Sequence, residues 1–244
     1  MLVTVLFRAL KVFDMDFFKN VYKLLSNGKY MGMIFEGFGR TLLISVFAAI
    51  FGLLLGTVVA IVGMAHDSKL TKVPKIICKV YVTVIRGTPM ALQLFIMAYA
   101  IFAIRGFPGE LVAIIAFGFN SGAYVAENIR AGILSVDIGQ TEAGRSLGLS
   151  SKTTMMRIVI PQAIKNVIPA IGNELIALIK ETSIVSMIGL YDLTQAAKVI
   201  GAGNNMASYI VPMSVAACFY LSIVYLLAIV IKKIEARLRV GDKR

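Results

Sequence analysis

Residues 140–161 read QTEAGRSLGLSSKTTMMRIVIP. This polar run stands between stretches apolar enough to enter a bilayer. Glu142 to Leu147 suit a short helix. Gly148 stops it, because glycine adopts without a Cβ penalty the left-handed conformation that closes a helix. Ser150 or Ser151 then caps a second helix, and Pro161, which has no amide hydrogen, interrupts or ends that one. The stretch predicts a helix–glycine–helix hairpin presented on one side of a membrane. The plainer alternative is a solvated hairpin that only joins two membrane helices.

The flanks make the bilayer the solvent. The 244-residue chain is 58% hydrophobic, above the roughly 45–50% of a soluble domain, and its mean hydropathy is +0.83. A span needs about 20 mainly apolar residues. Backbone groups in hydrocarbon must find partners inside helices or closed barrels, and long apolar runs without two-residue alternation choose helices. The expectation is an all-α membrane protein with five transmembrane helices, at about 40–64, 88–104, 110–129, 169–191 and 208–231. Residues 1–35 space Phe7, Leu10, Phe13, Phe17, Val21 and Leu24 at helical steps among charges. They predict a basic amphipathic helix lying in the interface.

Several spans carry marks of their own. Ala48, Gly52, Gly56 and Ala60 recur every four residues, a stripe that lets helix backbones approach closely in lipid. Arg86-Gly-Thr-Pro89 predicts a short helix to about 85, a break, and a new start, since Pro89 disfavours helix at Thr88. Arg86 there must face protein, water or the interface. Gln93 and Tyr99 face either a cavity or a neighbouring helix. The polar stretch Gly118, Asn120, Ser121, Gly122 either lines a water-filled route or packs. Glu127 and Arg130 pair locally.

The fourth expected span places Asn173, Glu174, Ala177, Lys180, Glu181 and Ile184 on one helical face. Ionisable residues inside a span are functional-site candidates by default. Lys180 and Glu181, with Thr182 and Ser183 beside them, could meet the carboxylate and ammonium of a zwitterion. They could equally form a salt-bridge network between helices.

Charge orients the chain. Lys69, Lys72, Lys75 and Lys79 lie in one loop, and Arg130, Arg145, Lys152, Arg157 and Lys165 lie in and around the hairpin. The tail from Lys232 carries six more basic residues, whereas the opposite loops hold Arg105 and Lys198. The positive-inside rule then puts the hairpin and C-terminus in the cytoplasm and the N-terminus outside. The basic N-terminal helix is an exception to that count.

Other functions are excluded. The net charge of +12 reflects cytoplasmic loops rather than nucleic-acid binding. No GxxxxGK[ST] phosphate-binding loop occurs, so this chain does not itself hydrolyse ATP. No nucleophile–base set occurs, and Cys78, Cys218 and the sole histidine, His66, have no metal-ligand spacing. The expectation is a chain that performs no bond chemistry of its own.

The hairpin resembles the loop signature of bacterial ATP-binding-cassette importer permeases: Glu142, Ala143, Gly148, Ile158 and Pro161 stand at its spacing. Gly144 replaces an alanine of that pattern and Ile160 a leucine. Arg86-Gly-Thr-Pro89 and the run from Tyr124 to Ile133 are similar to the polar-amino-acid branch. The resemblance covers roughly residues 36–240 and implies a type I importer permease fold with a cytoplasmic loop over 130–168. It implies that Glu142, Ala143, Gly144, Arg145, Leu147 and Gly148 form a coupling helix. It also favours Lys180, Glu181, Thr182 and Ser183 as contacts for the solute, to which the polar position of Gln93 in the second span adds a further candidate. Two permease subunits, identical or homologous, would pair with two ATPase subunits that bind ATP and Mg, and an extracytoplasmic amino-acid-binding protein would deliver solute at the bacterial cytoplasmic membrane. An ion-coupled secondary amino-acid transporter is the rival reading, favoured by the ionisable groups in the fourth span.

Overall fold

The structure, a computed structural model, describes residues 15–66, 68–203 and 209–238. All regular elements among the described residues are helical. Helix α1 is Met15–Ser26, α2 Gly28–Gly63, α3 Lys69–Arg86, and α4 Met90–Ile96, which widens into a π turn at Met97–Ile101. Helix α5 is Gly109–Leu134, α6 Ile138–Ser146, and α7 Ser151–Thr154. A second π turn, Met155–Val159, leads from α7 into α8, Ile160–Glu181. A 3-10 segment, Thr182–Ile188, then α9, Leu193–Ala202, and α10, Ile210–Leu238, complete the order.

The chain forms two compact units, one from Met1–Leu43 and Thr182–Ile223, the other from Ile44–Glu181 and Val224–Arg244. In the first, Phe17, Leu24, Ile34, Leu193, Ile200 and Val211 build the core. The expected interfacial helix is α1 in its described part, with Phe17 and Leu24 buried; residues 1–14 lie outside the described residues. The helix does not reach residue 35. Asn27 ends it, and its side-chain oxygen accepts from the amides of Lys29 and Tyr30 at 3.0 and 3.3 Å. That cap starts α2 at Gly28, twelve residues ahead of the expected span.

The stretch 192–207, expected as a loop, contains α9. Asp192 caps it, accepting from the amides of Thr194 at 3.0 Å and Gln195 at 2.8 Å. The amide of Leu193 donates to Thr41 Oγ1 at 3.1 Å. A Cβ on Gly37 would come within 2.6 Å of the Asp192 carbonyl oxygen, so α2 meets this corner at backbone distance. Burial pushes the Asp192 carboxyl above the ordinary carboxylate range, while hydrogen bonds from Gln195 and Thr194 pull it back.

In the second unit the small-residue stripe on α2 seats it against α5. A Cβ on Gly52 would meet Ser121 Cβ at 2.9 Å, and one on Gly56 the Gly122 carbonyl oxygen at 2.6 Å. The polar stretch 118–122 is therefore a packing surface on an unbroken helix. Tyr81 Oη donates to the Phe119 carbonyl at 2.5 Å and ties α3 to the same place.

Helices α3 and α4 meet at a bend of 109° across the Gly87–Pro89 break, as the Arg-Gly-Thr-Pro run predicts. The segment Met90–Ile101 spans about 18 Å at 1.5 Å per residue, too short to cross alone. Among the described residues three helices can cross by length and composition, α2, α5 and α10, or four if the bent pair is one span. Helix α8 has the length but carries Lys165, Glu174, Lys180 and Glu181. The expected span 169–191 is corrected: the α-helix runs 160–181 and tightens to 3-10 at Thr182. Pro161 does not end a helix, because the π turn before it widens the ladder where its missing donor falls. The fifth expected span extends to Leu238, taking in Lys232, Lys233 and Arg237 of the basic tail.

Candidate functional site

The hairpin forms as its sequence predicts and starts earlier. Asp137 caps α6, accepting from the Gly139 amide at 2.6 Å. At the other end Gly148 has φ +80°, in the left-handed region. The Leu149 amide donates to the Gly144 carbonyl at 3.1 Å and the Gly148 amide to the Arg145 carbonyl at 3.0 Å. These two bonds are the Schellman pattern of a glycine-terminated helix. Arg145 Nη1 adds a bond to the Leu149 carbonyl at 2.8 Å. Ser150 is the cap of α7, accepting from the Thr153 amide at 3.1 Å.

Of the predicted coupling residues, Glu142, Ala143, Arg145, Leu147 and Gly148 are exposed and Gly144 is buried. Leu147, at the tip, is 82% exposed. Gly144 faces inward, where an added Cβ would meet Thr154 Cγ2 at 2.8 Å and Ile158 Cδ1 at 3.0 Å. The two limbs of the hairpin close on each other at this glycine.

The hairpin is fastened to the long helices beside it. Gln162 Nε2 donates to Gln140 Oε1 at 3.2 Å. Asn166 Nδ2 donates to Ser135 Oγ at 2.8 Å. Helix α5 meets α8 at Gly132, where a Cβ would run into the Val167 side chain. The Gln140–Gln162 bond ties α6 to α8, and the Ser135–Asn166 bond ties the end of α5 to α8. Sequence reasoning misses these clamps, whose partners are 22 and 31 residues apart.

The predicted solute residues take up different settings. Lys180 and Glu181 are exposed at the C-terminal end of α8, Thr182 is fully buried and Ser183 half-buried. The Ser183 carbonyl accepts from Ser186 Oγ at 2.8 Å. Ile184 lies past the end of α8, so the expected common face stops at Glu181. Glu174 turns to a small cavity of about 210 Å³ that Ser121 also lines.

Gln93 serves the α3–α4 break. Its Nε2 lies 2.7 Å from the Ile85 carbonyl and 2.8 Å from Thr88 Oγ1, and its Oε1 accepts from Asn120 Nδ2 at 3.0 Å. Arg86 is the partnered cation its position requires. Its guanidinium lies 3.8 Å from Glu127 Oε1 and 5.3 Å from the centroid of the Tyr124 ring. Glu127 also accepts from Arg130 Nε at 2.9 Å, the expected local pair. Among the described residues no cluster of His, Cys, Asp or Glu could hold a metal.

Known proteins resemble this chain in sequence and in fold. Residues 52–240 match the model of the family described as binding-protein-dependent transport system inner membrane component. A putative glutamine transport system permease protein GlnP of Rickettsia bellii (strain RML369-C) is 41% identical over 210 residues, covering 85% of this chain and 94% of that protein. The arginine transport system permease protein ArtQ of Bacillus subtilis (strain 168) is 40% identical over 212 residues, covering 86% and 94%. A crystal structure of an amino acid ABC transporter with histidines superposes with a TM-score of 0.80 at 38% identity, over 88% of this chain and 98% of that one.

Proposed function

Because the chain belongs to the family of binding-protein-dependent transport system inner membrane components, we propose that it passes a polar amino acid across the cytoplasmic membrane, driven through its 142–148 helix by a separate ATPase subunit. It is a multi-pass membrane protein and a permease subunit, not an enzyme. The ion-coupled secondary transporter falls away, since the relatives belong to ATP-driven systems. Glutamine, arginine and cystine in the names of its relatives support an amino-acid cargo.

The observation that carries the coupling assignment is the hairpin itself: an exposed knuckle with Leu147 at its tip, closed by Gly148 and fastened through Gln140–Gln162 and Ser135–Asn166 to α5 and α8. An exposed leucine on a polar turn suits a groove on a partner. Glu142 and Arg145 supply polar contacts around it. A rigid knob clamped to two long helices converts closure of the ATPase into their swing.

Two ATPase subunits, holding ATP and Mg, and a second permease subunit complete the assembly, with an extracytoplasmic binding protein as donor. A two-fold pair is the ordinary way to enclose a path with few helices per subunit. The distribution of Lys and Arg supports an orientation with the N-terminus outside and the hairpin and C-terminus inside. Lys180 and Glu181 are the proposed contacts for the ends of a zwitterion, being exposed charges at the end of α8. Thr182 and Ser183 follow them at the start of the 3-10 segment, whereas Gln93, whose amide is engaged by Ile85, Thr88 and Asn120, is assigned to the α3–α4 break and not to the solute.

Cysteine pairs between position 147 and the ATPase groove test the reading. Crosslinking of the reconstituted complex should trap the hairpin and stop uptake. Free accessibility of residue 147 in the working assembly would overturn it.

A further inference from the structure

A second, larger cavity than the one beside Glu174 lies between α2, α3 and α5 in the second unit. Its volume is about 760 Å³. Its charged lining is four cations, Lys75, Lys79, Arg86 and Arg130, against the single carboxylate Glu127. Its remaining walls are mostly apolar, with Val59, Ala60, Met64 and Val82. We infer that this cavity binds the phosphate headgroup of an anionic phospholipid.

Helix α3 shows why. Its basic residues Lys72, Lys75, Lys79 and Arg86 fall on one side at 100° per residue, and Leu70, Val73, Ile77, Val80 and Val84 on the other. The apolar side is exposed, Leu70 at 89% and Ile77 at 62%, and no residue of α3 is buried. Of the cationic side, Lys75, Lys79 and Arg86 line the cavity and Lys72 lies beyond its end. An amphipathic helix of a soluble protein packs its apolar face inward; here the charged face is turned toward α2 and α5. Four cations around an apolar-walled space favour an anion there, and Glu127 is already shared between Arg86 and Arg130.

Shape selects an amphiphile. From Lys75 to Arg86 the cavity follows α3 for about 16 Å, far longer than a free phosphate needs. Val59, Ala60 and Met64 of α2 and Val82 of α3, in the wall itself, offer acyl chains a surface. Arg130 stands one turn before the end of α5, from which the hairpin departs. The cavity thus lies toward the hairpin end of α5, and basic pockets between spans on the cytoplasmic side hold anionic headgroups.

The complex of this chain with its ATPase subunit is placed in nanodiscs of phosphatidylcholine, with or without phosphatidylglycerol. Lipid retained on extraction is read by native mass spectrometry, together with Tm. The wild type should retain phosphatidylglycerol and gain Tm from it. Each basic residue near an anionic surface is worth about fivefold in binding, so K75Q/K79Q should lower retention about thirtyfold. K75R/K79R should keep it, and K69Q/K72Q, outside the cavity, should not change it. Thr83→Phe, which fills the cavity without altering charge, should also release the lipid and serves if the glutamine pair fails to assemble. No preference for phosphatidylglycerol in the wild type, or equal loss in K69Q/K72Q, would overturn the proposal. An equal gain in Tm from inorganic phosphate in phosphatidylcholine discs would make the ligand a free anion and overturn the lipid assignment.

Discussion

The amide of Leu149 donates to the carbonyl of Gly144 across 3.1 Å, and this bond folds the exit of α6 back onto its last turn. It forms only because Gly148, between them, sits at φ +80°. An L-residue there costs about 1–2 kcal/mol. No atom lies within 4 Å of an added Cβ, so the cost is one of backbone and not of crowding. Gly148→Val or Gly148→Asp should insert and assemble, yet hydrolyse ATP without uptake. Parallel measurement of ATPase and solute uptake in proteoliposomes decides; normal uptake would remove the coupling role.

Gly144→Ala should be tolerated and Gly144→Leu should not. Alanine gains about 1 kcal/mol of helix propensity over glycine. Against this it presses on Ile158 Cδ1 at 3.0 Å, the end of a side chain that can give way, and on Thr154 Cγ2 at 2.8 Å, where a stiff β-branched side chain held to the Ser150 carbonyl makes the α7 limb shift by a few tenths of an ångström instead. Leucine cannot be seated between the two limbs. Thermal unfolding of the solubilised complex reads the difference, and I158V should further relieve the alanine variant. A Tm for Gly144→Leu equal to wild type would mean that the limbs do not close on this residue.

How much of this is legible in the sequence follows the range of the interactions. Gly148, Ser150 and the break at Arg86–Pro89 act within a few residues, and local pattern names them directly. The stripe from Ala48 to Ala60 marks a contact face by its four-residue period, though it does not name α5 as the partner. The Gln140–Gln162 and Ser135–Asn166 clamps depend on two helices meeting, and no local pattern reports that. Helix α9 does carry a local signal, since Asp192 followed three residues later by Gln195 is a capping pattern. The fourth span departs from expectation because period alone cannot tell where an α-helix tightens to 3-10; Ile184 therefore falls beyond a face that ends at Glu181. The lipid-sized cavity is half visible, since Lys72, Lys75, Lys79 and Arg86 share a side of α3, but its walls come from α2 and α5.

Gln93→Leu should destabilise the chain without changing its affinity for solute. The substitution leaves Asn120 Nδ2 and the Ile85 carbonyl without their partner. A buried polar group so orphaned costs about 1–3 kcal/mol. Asn120 is 5% exposed, so water cannot readily replace the amide. The double variant Gln93→Leu/Asn120→Leu should recover part of the loss. Unfolding midpoints and the KM for uptake separate the two roles; a raised KM with unchanged stability would return Gln93 to the solute.

Lys180→Ala and Glu181→Ala should each reduce solute uptake, or solute-stimulated ATPase, while assembly with the ATPase persists. Both side chains are exposed at the end of α8, so truncation opens no cavity. Charge-assisted contacts to a zwitterion are worth about 1.5–3 kcal/mol each, or roughly ten- to a hundredfold in KM. Unchanged transport in both variants would give the pair a structural role only.

Asp192 makes the stability of the first unit depend on pH. Burial is the largest influence on its carboxyl and raises its pKa above the ordinary value, so the folded chain holds the proton more tightly than the unfolded one. Its contribution is then fully present below the ordinary carboxylate pKa and is lost as pH rises through the raised native value. Asp192→Asn keeps a capping oxygen for the Thr194 and Gln195 amides and cannot titrate, so its Tm should not fall over that window as the wild type's does. Asp192→Ala removes the cap and should cost about 1 kcal/mol or more at every pH. Its loss also takes the Asp192 Oδ2 acceptor, at 3.3 Å, from the Tyr220 hydroxyl. Tm measured against pH for the three proteins is the check: an unchanged slope in Asp192→Asn would assign the pH dependence to another group.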